Sequence, residues 1–211
     1  MEFNLEQARK VLELTLGEYS KIRGEYWASI YDAVWEYMTT NKSVNEFKLP
    51  AKRAMSTAYV VTGDLAWLDG GGKLPLDEDA ASIVATSQNA ELGYLDNTAN
   101  RLRLLKNDPD AKEDWNATYT KEAFSIADGY AATLDGIYAN VKTMAAGSKM
   151  LTFDGDDGAF TCSDCAKYKG KRHKASWWVS HNAIPPNRDF KCHGYRCNHF
   201  LRDDNGNLFT I

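Results

Sequence analysis

The stretch CSDCAKYKGKRHKASWWVSHNAIPPNRDFKCHGYRCNH, residues 162–199, holds every cysteine and every histidine of a 211-residue chain. Cys162-Ser-Asp-Cys165 is a C-x2-C pair, a spacing that turns two thiolates toward one cation while the backbone amides between them point at the sulfurs. A second pair, Cys192-His-Gly-Tyr-Arg-Cys197, follows after 26 residues, so two separate knuckles supply four sulfurs. Four thiolates suit a closed tetrahedral site for structural zinc. A Cys3His set using His173 or His199 is the alternative; His193 lies inside the second knuckle, and His181 is the weakest candidate. Two disulfides, or free thiols, are the competing readings of the same cysteines.

Working outward, residues 149–211 are poor in aliphatic side chains and punctuated by glycine and proline. So short a segment buries too little apolar surface to fold unaided, and a bound zinc contributes folding free energy on the order of 10 kcal/mol. Lys149 to Phe153 and Asn198 to Leu201 read as strands, and Asn205-Gly206 predicts a terminal β-hairpin pairing His199–Arg202 with Leu208–Ile211. Regular helix is expected to be nearly absent there. Positive charge gathers in the same place: between Cys162 and Arg202 nine Lys and Arg face only Asp164 and Asp189, a local excess of +7. Lys169, Lys171, Arg172, Trp177, Trp178 and Arg196 are therefore the candidates for touching nucleic acid or a protein partner, with core packing as the competing role for the tryptophans.

The first 148 residues read as a different domain, acidic and helical, with neither Cys nor His. Tyr19, Ile22, Tyr26, Ile30, Val34 and Tyr37 recur every three or four positions, which predicts helix from residue 5, with Asn4 as cap, to about 39. Gly17 and Gly24 are possible breaks in it. Ser43 with Glu46 forms a capping-box pattern, Pro50 is expected near a helix start or kink, and Gly70-Gly71-Gly72 ends that segment. A third helix is capped by Asp77 or Asp79, buries Ile83, Leu92, Leu95, Leu102 and Leu105, and breaks at Asn107-Asp108-Pro109. A last long helix carries Tyr119, Ala123, Ile126, Tyr130, Leu134, Ile137, Val141 and Met144 at the same step, until Gly147. The expected architecture is mainly α: four to five helices over 1–148, then a small irregular, β-containing zinc-knuckle segment over 149–211.

The whole chain carries a formal net charge of -4 with 44% hydrophobic residues, which excludes wholesale disorder and a surface that coats nucleic acid throughout. MEFNLEQARKVLEL bears Glu2, Glu6, Arg9 and Lys10 where an export signal needs an apolar run, and no stretch approaches the roughly 20 residues of a membrane span. The sequence shows no catalytic motif either. Residues 151–211 have no glutamate, against the His-x-Glu of a zinc deaminase, and nothing marks one of the four cysteines as a nucleophile. Asp154-Gly-Asp-Asp-Gly158 reads as a turn, since it lacks the final glutamate of a calcium loop. No catalytic residue and no small-molecule substrate are expected.

One similarity is specific. Lys149-Met-Leu-Thr-Phe-Asp-Gly-Asp-Asp-Gly-Ala-Phe-Thr-Cys162-Ser-Asp-Cys165, then Gly170, His173, Trp177, Pro185 and Cys192-x-Gly194-Tyr-Arg196-Cys197-x-His199-Phe-Leu201, resembles the carboxyl-terminal region of phage head morphogenesis proteins, the minor head proteins similar to Mu F. The resemblance covers residues 149–201 at motif level. It implies a structural virion protein of a tailed bacteriophage, in the head or head-tail region and in the host cytoplasm during assembly, with portal, major capsid or neck proteins and packaged DNA as partners. It implies a metal-binding or otherwise cross-linked knuckle at Cys162, Cys165, Cys192 and Cys197. A zinc-knuckle regulator that binds nucleic acid is the alternative, and a metal-dependent hydrolase using Asp156 or His173 the less favoured one.

Overall fold

The computed structural model describes residues 17–155, 161–194 and 197–210. Among them are seven helices and one three-stranded sheet: α1 Glu18–Thr39, α2 Val44–Asp69, α3 Glu78–Asn107, α4 Pro109–Glu113, α5 Trp115–Ala146, β1 Met150–Gly155, α6 Ser163–Tyr168, β2 Arg172–Lys174, α7 Ala175–Ser180 and β3 His199–Arg202. The chain is mainly α with a small antiparallel sheet and a cysteine-rich carboxyl-terminal segment, as the periodicities predict. It divides into two compact units, residues 1–62 with 84–134 and residues 63–83 with 135–211. The division does not fall at a single point near 148: the last turns of α2 and the last third of α5 belong with the cysteine segment.

In the first unit, local chemistry sets the helix ends. The Ser43 N–H and hydroxyl both donate to Glu46 Oε2, at 2.8 and 2.7 Å, and the Glu46 N–H returns to Ser43 Oγ at 3.4 Å, so the capping box forms. Asp108 caps α4 by accepting from the Asp110 N–H at 3.0 Å, with Pro109 in the first helical position. The last turn of α1 contains no basic residue, and Lys106 of α3 supplies one, donating to the carbonyls of Tyr37 at 2.6 Å and Thr40 at 2.5 Å. A cation there meets the negative end of the helix dipole. The predicted stripes are buried at Tyr26, Ile30, Val34, Tyr37, Leu95, Leu102, Ala123 and Tyr130, while Val84 takes the fully inward place expected of Ile83.

Residues 5–16 and the Asn4 cap lie outside the described residues. Gly24 does not interrupt α1, and Pro50, expected near a helix start or kink, sits inside α2. Asp77 does cap α3, its carboxylate accepting from the Ala80 N–H at 2.8 Å.

The second unit is built around β1, the central strand of the order β2-β1-β3, antiparallel to both neighbours. Leu151 and Phe153 alternate inward from it and join Cys165, Ala175, Trp178, Ile184, Phe190, Leu201 and Phe209 in one core. Two short helices, α6 and α7, occupy the stretch where helix was expected to be nearly absent. Each holds only six residues, too few for a 3.6-residue stripe to show in the sequence. The expected terminal hairpin is reduced to a turn and one bridge. Asp203 accepts from the Asn205 and Asn207 N–H groups at 3.0 Å each, Gly206 turns at φ 79°, and Arg202 pairs with Leu208. Beyond it the Phe209 and Thr210 N–H groups still donate to Leu201 O, at 2.7 and 3.2 Å, but the Leu201 N–H goes to the Thr210 hydroxyl at 2.7 Å instead of a backbone carbonyl, so a regular ladder does not form, and β3 pairs with β1. Ile211 lies outside the described residues.

Candidate metal centre

The first knuckle is a helix cap. Cys162 is the N-cap of α6 with extended backbone, and its sulfur accepts from the Cys165 N–H at 3.5 Å, the role that Ser or Asp usually fills. One helical turn on, Cys165 is carried into the core and is 1% exposed. The second knuckle is a tight left-handed turn: His193 has φ 51° and Gly194 φ 70°, the His193 N–H donates to Phe190 O at 2.7 Å, and the Cys197 N–H donates to Gly194 O at 3.3 Å. Lys191, beside Cys192, is tied back to the first knuckle through its N–H and Asp164 Oδ2 at 2.9 Å. Thus 26 intervening residues are folded so that the knuckles face each other.

The donor atoms of Cys162, Cys165 and Cys192 lie within 4.8 Å of one another, and so do those of Cys165, Cys197 and His199. Cys165 belongs to both groups. A tetrahedral ion with metal–sulfur bonds of about 2.3 Å sets its ligand sulfurs about 3.8 Å apart, so these separations fit one cation. The five residues can hold a metal ion. The four cysteines are free, none joined in a disulfide.

The thiols are unequal. Burial pushes Cys162 up, yet the N–H groups of Cys165 and Cys192 and the neighbouring thiols outweigh it and hold the group at about 7. Burial raises Cys165 well above the ordinary thiol range, reinforced by Cys162, Cys197 and Cys192. Burial also raises Cys197. Neutral thiols so close together cost little, whereas several thiolates there require a cation.

Of the alternates, His199 joins the cluster and His173 does not. His199 is 3% exposed at the start of β3, with its ring 5.5 Å from that of Phe153. Gly155 opposes it with φ 140°, and a Cβ there would stand 2.5 Å from Asn198 O and 2.7 Å from His199 Cα. His173 stacks instead on Trp177 at 3.7 Å, and His181 covers Trp177 from the other contact at 3.9 Å, both nearly parallel at 17°. His193 Nδ1 pairs with Arg188 O at 3.1 Å.

The interface candidates are sorted just as unevenly. Trp178 is 0% exposed and donates to Leu151 O at 3.1 Å, so it belongs to the core and not to a binding face. Arg172 forms a forked pair with the Asp204 carboxylate at 2.8 to 3.0 Å, Lys171 stays exposed, and Arg196 lies outside the described residues. Among the described residues Asp154 joins no donor group: the Gly155 N–H and Arg202 hold its carboxyl below the usual range. Asp156 and Asp157 lie outside the described residues. What the sequence left unmarked is the role of His199 over His173: His199 is near Cys197 in the chain, but its approach to Cys165 comes with the β1–β3 pairing. No described helix is long and apolar enough to cross a membrane. No family model, no curated protein and no solved structure matches the chain.

Proposed function

We propose that the chain is a structural protein of a tailed-bacteriophage head, whose second unit is tied by one zinc ion at Cys162, Cys165, Cys192 and Cys197 and docks on other virion proteins. The observation that carries the reading is the meeting of two distant knuckles at one point, which supports a structural tie. The spacing of those knuckles within residues 149–201, similar to the minor head proteins, gives the reading its biological setting. Zinc supplies the cross-link when bound. Around it, the Cys165 and Cys192 amides orient Cys162, the core of Phe153, Trp178 and Phe190 excludes water from Cys165, and Lys191 with Asp164 joins the knuckles.

Mass spectrometry and metal analysis of purified particles test both halves. The chain is expected in the particle, and the isolated protein is expected to carry one zinc with its four thiols slow to react until a chelator is added. Absence from particles overturns the head assignment; rapid reaction of all four thiols in metal-containing protein overturns the tie.

A further inference from the structure

The segment Lys167-Tyr-Lys-Gly-Lys-Arg-His-Lys174 puts five Lys and Arg into eight residues with no acid among them. Its shape is fixed: α6 ends at Tyr168, Gly170 turns at φ 74°, the Lys171 N–H donates to Tyr168 O at 2.9 Å, and the Gly170 N–H donates to Phe153 O at 2.9 Å. It then becomes β2, an edge strand of the sheet. Packing removes some of its charge and leaves the rest. Arg172 is neutralised by Asp204, and Lys169 is already engaged. Lys167, Lys171 and Lys174 are exposed, and among the described residues no carboxylate pairs with them. Two of these ammonium groups gather about one ring, 5.0 and 5.6 Å from the centre of Tyr168. Like charges held near each other favour an anion.

The aromatic neighbours decide which anion. Base stacking on single strands needs an open ring face. Trp178 is buried, Trp177 is stacked by His173 and by His181, and Tyr168 is stacked by Phe190 at 5.7 Å and capped by the lysines. With those faces taken, the contact left to this surface is with phosphate.

We infer that Lys167, Lys171 and Lys174, at the turn and edge strand beside the metal centre, bind the phosphate backbone of duplex DNA without reading its sequence. The inference needs the folded second unit and does not depend on the head assignment. Duplex binding by a chain missing from particles would separate the two.

The test is anisotropy of a labelled 20-base-pair duplex with the full zinc-loaded chain between 50 and 200 mM salt. Three phosphate contacts give a slope of log affinity on log salt of about -2.7, a loss of about 40-fold over that range, and removing two makes the slope shallower by about 1.8. K167Q/K171Q is expected to show that change, K167R/K171R to restore the slope, and K112Q/K121Q, exposed in the other unit, to leave it unaltered. A single strand of equal length is expected to bind no more tightly. No binding at 50 mM salt, or equal slopes for K167Q/K171Q and K112Q/K121Q with zinc content intact, overturns the proposal; so does tighter binding of the single strand.

Discussion

Cys165 is shared by both donor groups and is the most buried of the four cysteines, so its loss is expected to be the most damaging. Cys165→Ser should lose stoichiometric zinc and the cooperative unfolding of the second unit. His199→Asn should keep zinc, whereas Cys197→Ser should weaken it at least tenfold, as four thiolates are the proposed set; competition with a chelator reads all three. The reverse order for the last two would make His199 the fourth ligand. Protons compete with metal for the same sulfurs. Because Cys165 and Cys197 are raised by burial, both are protonated at neutral pH without metal, and each releases a proton on binding. Apparent zinc affinity is therefore expected to rise with pH by at least about 100-fold per unit between pH 6 and 8, the contribution of these two thiols alone. An unchanged affinity across that range would show that the buried thiols are not ligands.

Elements transmit these residue effects through backbone geometry. The β1–β3 pairing ends at Gly155 opposite His199, where φ is 140° and a side chain would meet Asn198 O and His199 Cα. Gly155→Ala is expected to cost about 1 to 3 kcal/mol from strain alone, with more from the clash. A thermal melt of the zinc-loaded protein should show it, together with faster zinc loss, since β3 carries His199 and is preceded by Cys197. Gly206→Ala makes the informative comparison: its φ is also positive, at 79°, but nothing lies within 4 Å of the added carbon. It should destabilise less and leave zinc release unchanged.

For the whole molecule, two units with different stabilising principles should respond differently to metal removal. Helices α1, α3 and α4 contain no cysteine or histidine and bury stripes of Tyr, Leu and Ala. The second unit rests on one core gathered about Phe153, Trp178 and Leu201, with Cys165 inside it and Cys162, Cys192 and Cys197 packed at its margin. Chelation of zinc is expected to collapse the near-ultraviolet circular dichroism from Trp177 and Trp178 while most of the far-ultraviolet helical signal persists. Parallel loss of both signals would mean that the units fold as one.

Periodicity by itself determined the long helices and their caps, because a 3.6-residue stripe and an Asp or Ser at its start act through local contacts. Ser43 with Glu46, Asp77, and Gly147 at φ 50° behave as their sequence neighbours dictate. The cysteine spacings likewise determined that two knuckles exist. Tertiary structure alone decided which histidine accompanies them, and that Trp178 is core while Trp177 lies stacked by two histidines, since these depend on pairings across tens of residues. The same holds for the terminal hairpin. Asn-Gly specifies a turn, but whether a ladder follows depends on where the Leu201 N–H finds its acceptor, and here that is the hydroxyl of Thr210.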